Sequence, residues 1–326
     1  MKSAVVCWGA VNVDLIFRVE SLAGLPPELG TVHPGGEYAL TEDQEAGLRT
    51  WTEQHGVLAG LSGGGQAANT AFALARWGIP TALIGRVGSD RDGDYLLGEL
   101  SGVDCRHVRR QGASGRAYVM VSAEGERTIF VAPNTNDRLQ ADDLPRELLQ
   151  QAPYVHLTSY VGNGPLAVQT AWAARQAPST RVSLDPGELY ARRGREALRA
   201  LLGQVDTLLL TEAEWELLGG QETEWPDWAP PIVILKRGAA GARLLSPQGR
   251  LEAPAEPAAA VADTLGAGDV FAAGWLAGQY HHLPPLSALR LANRMAAASL
   301  AGRGRKQYPD AAGFTAAREA VAQASG

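Results

Sequence analysis

The residues best placed to do chemistry are Asp263-Thr264-Leu265-Gly266-Ala267-Gly268-Asp269, followed by the small, apolar run Val270-Phe271-Ala272-Ala273-Gly274-Trp275. Three small residues in a row allow a sharp turn, and the run behind them suits a helix packed tightly on a sheet. A glycine-rich turn that opens a helix presents unpaired backbone N–H groups and the positive end of the helix dipole. That is a site for an anion, most often phosphate. Asp269, in the first turn, would stand beside that anion and could take a proton from an attacking hydroxyl. The same residues also satisfy a plain tight turn with a dipole-stabilised Asp. No Gly-Lys-Ser/Thr follows at Walker A spacing, and the third glycine of the dinucleotide fingerprint is missing.

Other polar residues fall where open α/β sheets gather ligands. The apolar segment Ala4-Val5-Val6-Cys7-Trp8 reads as a buried strand, and Asp14 lies just beyond it, as a ligand-facing or a solvated loop residue. Ser62-Gly63-Gly64-Gly65-Gln66-Ala67-Ala68-Asn69 enters a helix that Gly78 stops. Gly64 and Gly65 allow close approach of a ligand, and Asn69 sits one turn in. From residue 154 onward strands and helices alternate, which predicts right-handed βαβ units and a parallel sheet. Successive strands end in Asp185, Thr211 and Lys236 at one edge. Thr211 with Glu214 also makes a good helix start, with Thr as N-cap. Lys236 precedes the turn at Gly238, as a phosphate-facing or a surface lysine. Asn293 lies in an Ala-rich helix expected over 285–303, and a closing helix over 310–324.

In sequence order, these motifs resemble the ribokinase-like (PfkB) family of sugar and nucleoside kinases. Asp-Thr-Leu-Gly-Ala-Gly-Asp is similar to its second signature and Gly64-Gly65 with Asn69 to its first. The block Gly85-Arg86-Val87-Gly88-Ser89-Asp90-Arg91-Asp92-Gly93 is typical of it too. The resemblance runs over nearly the whole chain. It implies one α/β kinase domain over 1–326, a twisted, mainly parallel sheet flanked by helices, with a small β lid from about 15–62 and 115–132. It implies phosphoryl transfer from ATP to a hydroxyl of a sugar or sugar acid of ribose, fructose or 2-keto-3-deoxygluconate type. Asp269 would be the general base, and the amides of Gly266, Ala267 and Gly268 the anion hole. Asp14, Gly64, Gly65 and Asn69 would hold the acceptor. Thr211, Lys236, Gly238 and Asn293 would bind nucleotide. Glu214 would organise magnesium, and Asp263 with Thr264 would border a monovalent-cation (K+) site, as in some relatives. Gln66 stands where ribokinases proper often carry Lys, and Thr211 where the family has Asn. A nucleoside kinase on the same fold and a non-catalytic sugar or nucleotide sensor are the alternatives, and a homodimer through the lid is a family expectation.

Bulk properties agree with such an enzyme. The chain has 326 residues, 45% hydrophobic and 20% charged, with a formal net charge of −6. That balance argues against nucleic acid as a partner. The basic residues Arg303, Arg305 and Lys306 read as the end of a helix. Two cysteines, Cys7 and Cys105, make no metal spacing and fit a reducing cytosol, so a cytoplasmic location is expected. The N-terminus is too polar for a membrane span or signal peptide. Residues 15–62, rich in Pro, Gly and acidic side chains, read as irregular apart from lid strands, and 115–121 with 127–131 as a hairpin.

Overall fold

The computed structural model describes residues 3–221 and 225–323. β1 (Val5–Trp8) runs into β2 (Asn12–Val19), and β3 (Glu37–Ala39), α1 (Glu42–His55) and β4 (Gly56–Gly64) follow. Next come α2 (Gln66–Arg76), β5 (Thr81–Val87), α3 (Arg91–Gly98), β6 (Val108–Arg110), the hairpin β7 (Gly115–Val121) and β8 (Arg127–Ala132), and α4 (Arg146–Gln151). The alternating part comprises β9 (Tyr154–Thr158), α5 (Asn163–Ala173), β10 (Arg181–Asp185), α6 (Gly187–Ala191), α7 (Gly194–Leu202), β11 (Thr207–Thr211), α8 (Glu212–Leu217) and β12 (Ile232–Lys236). The antiparallel pair β13 (Ala242–Ser246) and β14 (Gly249–Ala253) leads to α9 (Ala267–Tyr280), α10 (Pro285–Ser299) and α11 (Ala311–Gln323). Residue 324 of the expected closing helix lies outside the described residues.

The large sheet has the order β14-β13-β12-β11-β10-β9-β1-β5-β6, parallel from β12 to β6. Alternate residues of β1 point to opposite faces, so Val6 and Trp8 enter one core and Val5 and Cys7 the other. Both faces are covered, as a parallel sheet requires. A second sheet, β3-β8-β7-β2-β4, arises because the chain leaves β1 at Trp8 and enters β2 at Asn12. In that sheet Asn12 pairs with Gly64 of β4 and with Gly115 of β7. Asp14 therefore sits on a strand and is buried, not in a solvated loop.

Two expectations change, and a third element gains a neighbour. The acidic stretch after Thr41 is the first turn of a helix: Thr41 and Gln44 form a reciprocal capping box, and Leu48 and Trp51 pack α1 on the small sheet. The Thr-x-x-Gln spacing carries that signal, masked by the Pro and Gly around it. The helix that the alternation places near 192–202 is found as α7, and the short α6 before it is a separate helix, parted from it at Arg192–Arg193 with Gly194 at positive φ. Helix α10 stops at Ser299, so Arg303, Arg305 and Lys306 lie beyond it, and Arg305 is buried rather than a solvated helix end.

Helix α9 is buried along most of its length because its residues are small. A Cβ on Gly274 would lie 2.7 Å from Ala292 Cα, and one on Gly278 would lie 2.6 Å from Ala288 Cβ. These two glycines, one turn apart, let α10 close on α9. Gly274→Ala is expected to destabilise the chain by about 1–3 kcal/mol through overpacking against backbone. Urea unfolding measures this, and an unchanged midpoint would show that the two helices can separate without loss.

Candidate active site

Gly266 caps α9 in the left-handed region, at φ 77°, where a Cβ would also meet Tyr308 Oη at 2.1 Å. No side chain caps this helix. The Ala267 amide makes a long bond, 3.3 Å, to Thr264 O, while Gly268 and Asp269 open the first turn with their N–H groups outward. The Asp269 carboxylate is nine-tenths buried and accepts a hydrogen bond from Asn69 Nδ2 at 2.7 Å. Thr70 Oγ1 donates to Asp269 O at 3.2 Å, so α2 and α9 are tied at their N-termini. Burial raises the Asp269 pKa to about 7, against the Asn69 hydrogen bond, which lowers it.

Helix α2 begins similarly. Gly65 at φ 95° is its N-cap, and a Cβ there would lie 2.2 Å from Ala10 O. The neighbouring Gly64 leaves room for Asp14, whose Oδ1 lies 2.1 Å from where a Cβ would be. Asp14 is likewise raised to about 7 by burial, with the Arg305 guanidinium opposing.

Two cavities flank the N-terminus of α9. One, of about 270 Å³, lies under the small sheet; Asn12, Asp14, Gly65, Asn69, Gly266 and Asp269 line its floor, and Ala117, Val119, Ile129 and Val131 its roof. The other, of about 640 Å³, is mostly apolar and is lined by Lys236, Gly238, Thr264, Ala267, Gly268, Phe271 and Asn293. The turn at 264–269 is their common wall. Of the residues singled out from sequence, Gly64, Asp263 and Thr211 line neither cavity.

The polar strand ends meet as expected. Lys236 is largely buried, not a surface lysine, and its Nζ lies 2.6 Å from Asp185 Oδ2. Burial opposes its charge, but Asp185 and Glu214 outweigh this and hold the ammonium above its usual pKa. Thr211 and Glu214 form a capping box: Thr211 N donates to Glu214 Oε2 at 2.7 Å, and Glu214 N to Thr211 Oγ1 at 3.2 Å. The plain helix-start reading of Thr211 therefore holds, while Glu214 still reaches the first cavity. Asn293 donates to Ala253 O and Pro254 O at 3.0 and 2.9 Å, which fixes the wall of the second cavity.

Asp263 Oδ1 accepts from Arg127 Nη2 at 2.6 Å and from Leu265 N at 2.9 Å, and Arg127 Nη1 donates to Thr264 Oγ1 at 3.3 Å. A guanidinium from the small sheet thus takes the side chains expected to border a monovalent cation, and they do not fit such an ion in this arrangement. Among the described residues no three His, Cys, Asp or Glu side chains gather as a metal cage. One Glu214 oxygen stays outside the capping box, which suits a magnesium ion that keeps its waters and rides on phosphates.

Several neighbours were not singled out as site residues from sequence. Glu37 of β3 and Glu188 of α6 reach the first cavity, and Asp185 anchors Lys236. Arg305 lies behind Gly64, its Nη2 3.4 Å from Gly64 O. Only the strand-end position of Asp185 was a sequence signal. The others depend on how distant segments stack.

The raised carboxyl of Asp269 bears on stability. A carboxyl with a higher pKa folded than unfolded binds its proton more tightly when folded. Its contribution is present at acid pH and is lost as pH rises from about 4 through about 7. Asp269→Asn is therefore expected to melt about 2–4 °C above the unsubstituted chain at pH 8 and level with it at pH 4. Equal melting temperatures at pH 8 would mean that the carboxylate is not strained in the fold.

Comparison with known proteins bears on family and fold. The family model described as pfkB family carbohydrate kinase matches residues 54–309. The chain is 32% identical over 309 residues to the ATP-dependent ribose-1-phosphate kinase of Halopiger xanaduensis, covering 93% of this chain and 94% of that protein. It is 31% identical over 265 residues to a fructokinase of Klebsiella pneumoniae, covering 73% and 84% respectively. In fold it resembles a probable sugar kinase of Rhizobium etli CFN 42 (TM-score 0.84, 20% identity, 99% of each chain). It also resembles the adenosine kinase of Sinorhizobium meliloti (TM-score 0.82, 21% identity, 98% and 100% of the chains). The fold is ribokinase-like, and the chain belongs to the pfkB family of carbohydrate kinases, phosphotransferases with a hydroxyl acceptor.

Proposed function

We propose that this protein is an ATP-dependent sugar kinase that phosphorylates a hydroxyl held in the cavity under the small sheet. The observation that carries the reading is the shared wall: Asp269 and Gly266 face one cavity, Ala267 and Gly268 the other. Nucleotide in the larger, apolar cavity would direct its terminal phosphate at the turn. An acceptor hydroxyl in the smaller one would approach from the opposite side.

In this reading Asp269 takes the hydroxyl proton as attack proceeds, and the amides at 266–268 with Lys236 stabilise charge on the transferred group. For a loose phosphoryl transfer, positioning and electrostatics supply most of the acceleration. Asn69 orients the Asp269 carboxylate. Asp14 and the Gly65 turn hold the acceptor, with Gly64 giving Asp14 its room, and Gly238 and Asn293 shape the nucleotide cavity. Magnesium would neutralise charge on the nucleotide phosphates, and Glu214 is the residue that would hold it, through water. The small sheet acts as a lid because it roofs the acceptor cavity and is joined to the phosphate turn by Arg127.

Relatives' names point to ribose 1-phosphate, fructose and ribose as acceptors. A nucleoside is the second reading, favoured by the apolar roof of Ala117, Val119, Ile129 and Val131, which suits a base. A homodimer through the lid is supported by Val57, Leu58 and Leu61, which are 70, 56 and 46% exposed on the edge strand β4.

ADP release with ATP and magnesium, over a panel of sugars and nucleosides, tests the reading. Asp269→Asn is expected to lower kcat by about 10²–10⁴-fold while ATP affinity stays within about threefold. Turnover near that of the unsubstituted enzyme would remove the base, and ATP binding without any acceptor-dependent release would favour a sensor. Since Asp269 acts only when ionised, kcat/KM should rise with pH through an acid limb near 7, belonging jointly to Asp269 and Asp14. A limb near pH 4 would contradict the burial argument. For the dimer, Leu58→Glu is expected to shift sedimentation from dimer to monomer. An unsubstituted chain that sediments as a monomer would exclude this interface.

A further inference from the structure

The walls of the acceptor cavity carry a consistent charge. Asp14, Glu37, Glu188, Glu214 and Asp269 reach it, and none of the residues lining it is Lys, Arg or His. Two nearby cations are paired: Lys236 with Asp185, on the nucleotide side of the turn, and Arg192 with Glu188. A third, Arg305, does not line the cavity; it lies behind the Gly63–Gly64 backbone, where its charge partly offsets that of Asp14. The two helix N-termini that border it each have a carboxylate beside them already, Asp14 at α2 and Asp269 at α9.

A second observation is independent of this sign. Asp14 is nine-tenths buried and lines the cavity, yet its carboxylate accepts no hydrogen bond from the described residues. A buried carboxylate in that state is costly unless a ligand supplies donors. Glu37, on β3, is partly buried, and its carboxyl likewise accepts no hydrogen bond from the described residues. Burial and then the carboxylates of Glu188, Glu214, Asp14 and Asp269 push its pKa up to about 8, so the cavity already resists the charge it holds.

Resting on the kinase reading, we infer that this cavity takes an uncharged polyhydroxyl acceptor, whose O–H groups donate to Asp14 and Glu37, and that it rejects acceptors carrying a phosphate or carboxylate. A hydroxyl brings the donor each carboxylate lacks. A phosphate or carboxylate brings acceptors and a like charge, with no cation in the lining and a carboxylate already beside each helix N-terminus that borders it. Negative charge is confined to the other side of the Gly266 turn, where Lys236 stands. Ribose, fructose or a nucleoside therefore fits, while ribose 1-phosphate and 2-keto-3-deoxygluconate do not.

The test uses matched acceptors on the full chain: ribose against ribose 1-phosphate, and fructose against fructose 1-phosphate, with 2-keto-3-deoxygluconate as the sugar acid. Each is measured by calorimetric binding and by ADP release with ATP and magnesium. The uncharged member of at least one pair is expected to bind at least about tenfold more tightly than its phosphorylated partner, with no pair reversed. At pH 9, where Glu37 is ionised, Glu37→Gln should narrow that ratio severalfold, because it keeps the shape and removes a charge. An anionic acceptor bound as well as its uncharged counterpart, or a ratio unmoved by Glu37→Gln, overturns the inference and leaves the kinase reading standing if ADP is released. Tight binding of an uncharged sugar without ADP release supports the selectivity and sinks the kinase reading. Binding of no acceptor overturns both.

Discussion

The hydrogen bond from Asn69 to Asp269 joins two helices whose contacting residues are 200 apart in sequence. Both helices are entered through a glycine with positive φ, and both bring an uncapped N-terminus to the same place. Each N-terminus borders the cavity under the small sheet, and the turn at Gly266 also walls the apolar one. If α2 and α9 were not locked together, the two cavities would not share a wall and Asp269 would face only solvent. Small residues permit the lock: α9 is buried along most of its length, and its glycines let α10 press close behind it.

Charge is sorted across that wall. On one side lie carboxylates, two of them without hydrogen-bond partners among the described residues. On the other lies the Lys236 ammonium, held by Asp185 beside the first-turn amides of α9. Burial makes the Asp14 and Asp269 carboxyls weaker acids in the folded chain and brings both to about neutrality. The strain of keeping them is met by the surrounding fold, as is usual where local stability and chemistry conflict.

The large sheet was legible because its cues are local. Strand lengths, apolar runs and polar residues at the strand ends follow from neighbours in the chain, and the hairpin at β7 and β8 did too. The segment before β4 was not: the capping box at Thr41 is a local signal, but Pro and Gly on either side obscured it. Arg305 was misread for a different reason. Its burial depends on Phe72, Gly63 and Tyr308, which come from other elements, and a run of basic residues carries no trace of that.

The sequence by itself determined the parts whose physics is short-ranged. A Gly-Ala-Gly turn must bend and then open a helix with free amides, and an Asp one position later must stand in that helix's first turn. Alternating strands and helices must give a covered parallel sheet. Only the tertiary structure decided which charges meet. Glu37 and Glu188 share a chamber with Asp14 and Asp269, and Arg127 takes Asp263, because the small sheet folds back over the large one. Electrostatic partners are set by distance and burial in space, and neither quantity is written in the spacing of residues along a chain.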